Sequence, residues 1–138
     1  MDDPKPLVWL HGEIKTPPFS AAARLEAALL LRRLQNGEKL TLPHSRPMPM
    51  VAPSCHELRI RDVEHTWRVI YSIEPDAIVI LEIFSKKAAT TPKSVIDACL
   101  RRLRLYRDLQ EDPTWMRRRG GGWRLLAGRW GTQLTSLG

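Results

Sequence analysis

A run of nearly uninterrupted apolar residues constrains the fold of this chain more than any other feature. Residues 78–84 read Ile-Val-Ile-Leu-Glu-Ile-Phe, and most of these side chains are β-branched or aromatic. Such a run is typical of a strand that is covered on both faces, because each face then needs apolar side chains. The sequence therefore predicts a central strand over residues 78–84, with other elements packed on both sides of it.

Two segments before this run have the pattern of partly buried strands. Residues 56–61 alternate, with Leu58 and Ile60 on one face and charged side chains on the other, which is the period of two that a strand requires. Residues 67–73 are largely apolar, and Pro75-Asp76 offers a tight turn before the central strand. We therefore predict a three-stranded antiparallel meander.

The residues before the meander predict a short strand, a helix and an irregular connection. Residues 7–11 are largely apolar and end at Gly12, as a first strand would. Ser20 is a suitable N-cap for a helix that ends at Gly37, whereas residues 41–53 contain four prolines and predict an irregular connection. The apolar stripe of this helix is predicted to consist of Leu25, Ala28, Leu29 and Leu34.

A second helix is predicted after the meander. Thr91 provides a hydroxyl cap and Pro92 suits the first helical position, so the helix begins here and closes the domain near Leu109. The predicted stripe is Ile96, Cys99, Leu100, Leu103 and Tyr106, with Arg101, Arg102 and Arg104 outside it. Residues 1–109 thus predict one α+β domain, in which a small, mainly antiparallel sheet packs with an N-terminal helical segment and a C-terminal helix. A basic extension rich in Trp, Arg and Gly follows over residues 110–138.

The composition is that of a basic protein with a single core. The 138 residues carry 22 Lys and Arg against 15 Asp and Glu, a formal net charge of +7, which favours phosphate-bearing or other acidic partners. Cys55 and Cys99 are too few for a disulfide framework. No apolar run approaches the roughly 20 residues of a membrane-spanning helix. We expect a soluble, cytoplasmic protein that does not associate with membranes.

Basic side chains gather around the predicted meander. If they lie on the polar face and where the last strand ends, they converge on one phosphate-sized surface. Strands also carry charges simply because these are solvated or discourage edge pairing. Arg68 is harder to explain in that way, since it lies between Trp67 and Val69, where an unpaired charge is costly. The basic residues are Arg59, Arg61, Arg68, Lys86 and Lys87.

Four segments, taken in order, resemble a known family. They are His56-Glu57-Leu58-Arg59, Trp67-Arg68-Val69-Ile70-Tyr71, Phe84-Ser85-Lys86-Lys87, and Thr90-Thr91-Pro92 followed by a helix. Their order and spacing are similar to the RelE/HigB superfamily of type II toxins, and most similar to its phage-derived HigB-like branch. The resemblance covers about residues 7–106.

The resemblance implies a function. Members of this superfamily are small basic α+β proteins, usually ribosome-dependent mRNA endoribonucleases that need no cofactor. A cognate antitoxin neutralises them; in the HigB-like branch it is commonly a helix-turn-helix, HigA-like protein, and the complex contacts operator DNA through the antitoxin. The implied reaction is attack of an RNA 2′-hydroxyl on its adjacent phosphate. A basic sheet face suits the RNA backbone that such a reaction requires.

The resemblance also implies roles for individual residues. It places Arg68 near the scissile phosphate, Arg59 on the preceding strand and Lys87 after the last strand. Arg61 and Lys86 are expected to support RNA binding, as are Arg101 and Arg104 on the last helix. His56 is a candidate acid or base, because its ordinary pKa is near neutrality, although a lone histidine at the start of a strand is also typical of a structural residue.

The sequence predicts no metal site, and it leaves a non-catalytic alternative open. The histidines and cysteines show no spacing typical of zinc ligands, and cleavage by a 2′-hydroxyl needs no metal, so none is predicted. Many RelE-like toxins carry a tyrosine in their C-terminal segment, whereas Val95 and Ile96 stand here. The alternative is therefore a non-catalytic RNA- or ribosome-binding protein, or a degenerate toxin that acts as an antitoxin-binding regulator.

Overall fold

The predicted central strand lies inside a five-stranded sheet with the strand order β1-β5-β4-β3-β2. The computed structural model describes residues 4–86 and 90–111. Strands β3, β4 and β5 form the predicted antiparallel meander, while β1 pairs with β5 in parallel. The elements are β1 (Leu7–Trp9), α1 (Ala21–Gln35), β2 (Ser45–Pro47), β3 (Cys55–Arg61), β4 (Thr66–Ile73), β5 (Ile78–Lys86) and α2 (Lys93–Glu111).

The two helices cover opposite faces of this sheet, which confirms the predicted α+β fold. Because successive strand residues point to opposite sides, Ile78 and Ile80 pack with α1 whereas Val79 and Leu81 pack with α2. All four are fully buried. The side of the sheet that faces α1 is called the α1 face below, and the opposite side the α2 face.

Helix α1 begins as predicted but buries a different stripe. The Ser20 side chain accepts a hydrogen bond from the Ala23 N–H at 3.0 Å, and Gly37 follows the helix with a φ of +90°. The predicted stripe is wrong for Leu25 and Leu29, which are 61% and 59% exposed, and for Ala28. The helix is apolar on more than one side, so spacing alone does not select the buried face. The buried residues are Ala23, Ala27, Leu30, Leu31 and Leu34.

The proline-rich connection contains a strand that the sequence analysis missed. Within residues 41–53, β2 pairs with β3 at the edge of the sheet, and Pro47 lies opposite His56. An edge strand tolerates proline because one side of its backbone has no ladder partner to lose. The Ser45 and Tyr71 hydroxyls share a hydrogen bond of 2.7 Å beneath this edge.

Helix α2 begins one residue later than predicted. The Pro92 carbonyl accepts the first helical hydrogen bonds, so Pro92 occupies the capping position and not the first helical position. The predicted stripe holds for the buried Cys99, Leu103 and Tyr106, but Leu100 is 37% exposed. Neither α1 nor α2 is long and apolar enough to cross a membrane, in the part of the chain that the structure describes.

One basic residue of α2 was predicted on the wrong side. Arg102 lies partly buried against β5 and donates hydrogen bonds to the Leu81 carbonyl at 2.8 Å and to Glu82 Oε2 at 3.2 Å. The long aliphatic part of an arginine can cross an apolar surface while its guanidinium group reaches hydrogen-bond acceptors. An arginine beside the apolar stripe of a helix can therefore pack against the sheet.

The second half of α2 is held to the sheet by a buried carboxylate. Arg107 donates to both Glu74 oxygens at 3.0 Å, and the Ser72 hydroxyl donates to Oε2 at 2.6 Å. Burial raises the pKa of Glu74, but the hydrogen bonds from Arg107 and Ser72 outweigh it and hold the pKa below its ordinary value. The ionised form therefore stabilises the folded state.

We predict that Glu74→Gln lowers the free energy of unfolding at pH 7 by about 1–3 kcal/mol, the scale of a charged hydrogen bond. Because folding depresses this pKa, the stabilisation is present above the unfolded pKa near 4.5 and is lost as the pH falls through the folded value. Urea denaturation between pH 7 and pH 3 should show a flatter profile for the variant. Glu38→Gln, which removes an exposed ion pair with Arg33, is the control with little change. Parallel pH profiles for wild type and Glu74→Gln would contradict this prediction.

Candidate functional site

Two of the predicted site residues lie directly opposite each other in the sheet. Arg59 of β3 and Arg68 of β4 are partners in the antiparallel register, and both point to the α2 face. Arg46 of β2 lies opposite Glu57 of β3 on the same face. These four residues, Arg46, Glu57, Arg59 and Arg68, are called the arginine cluster below.

Glu57 organises the cluster. Its side chain is fully buried, and its Oε1 accepts hydrogen bonds from Arg46 Nε at 3.1 Å and Arg68 Nη1 at 3.2 Å. The Thr91 hydroxyl, just before α2, donates to Oε2 at 3.3 Å. A buried carboxylate is tolerated only when cations and donors surround it. Glu57 therefore joins β2, β3, β4 and the start of α2 at one point.

The cluster has an excess of positive charge. Its three arginines and one glutamate carry a net formal charge of +2, and two of the arginines, Arg46 and Arg68, contact the Glu57 carboxylate. Burial lowers the pKa of Arg68, Glu57 opposes this change, and the nearby Arg59 and Arg46 lower the pKa further. An arginine remains a cation even so, and an anion placed here would relieve the repulsion.

The cluster contains two arginines with unused hydrogen-bonding capacity, of which Arg59 is the one that is partly exposed. Arg68 Nε is buried and has no hydrogen-bond partner among residues 4–86 and 90–111. The partly exposed side chain of Arg59 forms neither a hydrogen bond nor an ion pair within the same residues. A partly exposed arginine beside further guanidinium groups suits phosphate, whose oxygens accept hydrogen bonds from arginine side chains.

The remaining basic residues of the meander extend the same surface. Arg61 is exposed at the end of β3, and both Arg61 and Lys86 are register partners of Thr66. The backbone thus places these two residues in one row across the sheet, next to the row of Arg59 and Arg68. Lys87 lies outside the described residues, so its predicted role stays a prediction.

His56 lies on the other side of the sheet. It shares the α1 face with Leu58 and Ile60, and its ring stacks on Tyr71 with 5.6 Å between the ring centroids. Alternation along β3 separates it from Glu57 and Arg59. The structure does not bring His56 to the cluster, and its predicted acid–base role remains untested.

The two arginines predicted on the last helix lie apart from the cluster. Arg101 and Arg104 are exposed on α2 and form no hydrogen bond or ion pair within the described part of the chain. Both side chains are free to contact a partner, but no hydrogen bond or ion pair from residues 4–86 and 90–111 fixes their orientation. Across residues 4–86 and 90–111, no group of three or more His, Cys, Asp or Glu side chains is arranged to hold a metal ion.

Sequence reasoning missed Arg46 and the burial of Glu57. Arg46 lies in the segment predicted to be irregular, and only the pairing of β2 reveals its position. Alternation places Glu57 on the charged face with Arg59 and Arg61, which predicts an exposed side chain, whereas Glu57 is fully buried. The sequence feature that indicates the burial of Glu57 is its position as an acidic residue on the same strand face as two arginines, which is typical of an internal ion pair.

The fold and the cluster together define a class: a small basic α+β protein with a group of arginines around a buried carboxylate on its sheet. The family model for phage-derived Gp49-like proteins (DUF891) matches residues 17–104, which include the whole arginine cluster. The chain belongs to this family, which is associated with RelE/HigB-like toxins. No curated protein matches the chain.

We predict that Glu57→Ala destabilises the fold by about 3–5 kcal/mol, because it leaves buried Arg68 without its counter-charge. Arg46→Ala should cost less, since Arg68 still neutralises Glu57 and the Arg46 side chain is 36% exposed. Urea denaturation of both single variants and the double variant measures the coupling, which should exceed about 1 kcal/mol. Equal, small effects for Glu57→Ala and for Glu38→Ala at the surface would contradict the central role of Glu57.

Proposed function

We propose that this chain is the toxin of a type II toxin–antitoxin system, an mRNA endoribonuclease that acts on translated messages in the cytoplasm. The observation that carries the proposal is the pairing of Arg59 with Arg68 across β3 and β4, beside a carboxylate that orients one of them. Membership of the Gp49-like family supports it, because that family is associated with RelE/HigB-like toxins.

The reaction needs positive charge at a fixed place. The 2′-oxygen attacks the adjacent phosphorus, the bond from phosphorus to the 5′-oxygen breaks, and a cyclic phosphate and a 5′-hydroxyl result. The transition state has extra negative charge on the phosphate oxygens. Donors that are held in place before the reaction stabilise that charge most effectively. Arg68, fixed by Glu57, and Arg59, free to bind, would supply them.

Other basic side chains would bind the RNA strand around the scissile phosphate. Lys87 is proposed as a further phosphate contact, with Arg61 and Lys86 supporting the bound strand. Because His56 lies on the α1 face, the proposed mechanism does not rely on it for proton transfer. Cleavage within the ribosome would allow the ribosome and the mRNA to supply part of the geometry. No metal ion takes part in the proposed step.

The proposal includes a cognate antitoxin. Its identification as a HigA-like helix-turn-helix protein follows from the resemblance to the HigB-like branch. In this scheme the antitoxin neutralises the chain and carries the complex to operator DNA. A small helix-turn-helix reading frame next to the gene for this chain would support the scheme.

We predict that expression of the chain without antitoxin arrests growth and that Arg59→Ala relieves the arrest. Arg59 has no partner among the described residues, so its removal should leave the fold intact, as circular dichroism can verify. Primer extension on ribosomes programmed with mRNA should show cleavage reduced by roughly 10²–10³-fold, the usual cost of one charge-stabilising donor. Arg33→Ala removes the same charge from α1 and serves as the matched control. Undiminished cleavage by folded Arg59→Ala would refute the assignment.

One observation favours the non-catalytic alternative. The described side chains that contact Glu57 are two arginines and a threonine hydroxyl, and neither these groups nor the neutralised carboxylate is an obvious general acid or base. A pure RNA-binding protein, or a degenerate toxin that only binds antitoxin, would need no such group.

The alternative makes a separate prediction. A binding protein leaves messages intact in primer extension but still binds RNA. Arg59→Ala should then weaken the RNA association constant and lower the slope of its logarithm against the logarithm of the salt concentration by about one. Filter binding to a short RNA over a range of salt concentrations measures this slope. Cuts at preferred codons would exclude this alternative.

A further inference from the structure

A groove on the opposite edge of the molecule has no role in the proposed reaction. It lies between α1 and the edge strand β1 and has a volume of about 390 Å³. Its walls include Leu7 and Trp9 of β1, Ile14, and Leu31 of α1. The strand order places β1 at one edge of the sheet and β2 at the other. The groove therefore lies at the edge of the sheet opposite to β2, whereas the arginine cluster lies on β2, β3 and β4.

The outer wall of the groove exposes leucine side chains. Leu29 lines the groove and is 59% exposed, and Leu25, one turn earlier on α1, is 61% exposed. Isolated exposed leucines are common, but two neighbouring ones beside an apolar groove make a contiguous apolar surface. Such surfaces are typical of places where another chain docks.

The rim of this apolar groove is positively charged. Arg24 and Arg32 line it from α1, eight residues apart, which corresponds to about 12 Å along the helix axis. Neither forms an ion pair or side-chain hydrogen bond within residues 4–86 and 90–111. No Asp or Glu is among the residues that line the groove. The two charges are therefore available to carboxylates of a bound segment.

In the part of the chain that the structure describes, unpaired polar groups also occur in strand β1, which forms one wall of the groove. The indole N–H of Trp9 is buried and donates to no atom of the described residues. Strand β1 pairs on one side only, with β5; the Pro6 carbonyl and the Leu10 N–H bond to that neighbour. The backbone groups of Leu7 and Trp9 thus face the open edge. An open strand edge can form backbone hydrogen bonds with another chain.

We propose that this groove docks an acidic, aliphatic-rich segment of a partner protein. Aliphatic side chains of the segment fill the space against Leu29 and Trp9, and its carboxylates pair with Arg24 and Arg32. A second copy of this chain is a poorer occupant, because a symmetric contact would bring the rim arginines of both copies together. Identification of the partner as the antitoxin rests on the proposed function, whereas the chemistry of the groove does not.

Selection from a random peptide display library tests the proposal on the purified full chain in the absence of RNA. Enriched peptides should combine Asp or Glu with Leu, Ile or Val. A synthetic copy of an enriched peptide should lose at least about tenfold in affinity for Arg24→Glu/Arg32→Glu and for Leu29→Glu. Arg101→Glu/Arg104→Glu, which makes the same change of charge on the exposed surface of α2, is the control that retains affinity.

Several results would overturn the proposal. They are the absence of enriched peptides, enrichment of peptides without acidic residues, or binding that the groove variants do not alter. A dimer in light scattering that Leu29→Glu abolishes would assign the groove to a second copy instead. Co-sedimentation with anionic vesicles that Leu29→Glu abolishes would assign it to a membrane surface.

A growth assay separates this proposal from the proposed function. If the chain arrests growth, co-expressed antitoxin should rescue cells that express wild type but not cells that express Arg24→Glu/Arg32→Glu. Absence of arrest would refute the toxin assignment and leave the peptide result unaffected. Rescue of the double variant as complete as that of wild type would show that the antitoxin does not use this groove.

Discussion

The arginine cluster depends on one buried carboxylate. Glu57 is fully buried on a sheet face that also holds Arg46 and Arg68, and its Oε1 accepts a hydrogen bond from each. Without it, β4 would carry the buried Arg68 guanidinium without a counter-charge, at a cost of several kcal/mol, and Arg46 of β2 would lose its ion-pair partner. The same contact leaves Arg59 uncommitted, since Glu57 already neutralises its neighbour. Stability and the proposed activity thus depend on the same residue.

The sheet keeps its two faces chemically distinct. On the α1 face, β3 and β4 present Leu58, Ile60 and Val69 to the core, whereas on the α2 face they present charged residues near the end that lies by Thr91. Helix α2 packs mainly along β5 and is held by Arg107 at its far end. It therefore covers the apolar part of its face. The charged part is stabilised by ion pairs instead of apolar packing.

The parts of the fold that were predictable from sequence follow from hydrophobic pattern. The continuous apolar run over residues 78–84 indicated β5, because a strand that is buried on both faces needs apolar side chains throughout. The alternation of residues 56–61 indicated β3, because a strand that is buried on one face alternates apolar and polar side chains. The buried stripe of α1 was not readable, since Leu25 and Leu29 are as apolar as the leucines that are buried. Arg46 could not be found either, because its position depends on a strand pairing between distant segments. His56 and Arg59 lie on opposite faces of the sheet, because residues three apart in a strand point in opposite directions, and the ordinary pKa of a histidine carries no information about that placement.

The placement of charge also bears on how a partner could control the molecule. The cluster has three arginines and one glutamate, an excess of two, and the rim of the groove adds Arg24 and Arg32 at the other edge of the sheet. A partner bound only in the groove would leave the cluster open to the RNA that the proposed function requires. Neutralisation by such a partner therefore needs either a second contact that extends to the cluster or enough bulk to exclude the ribosome. An acidic partner suits the first route, because carboxylates that pair with Arg59 would compete with phosphate for the same donor.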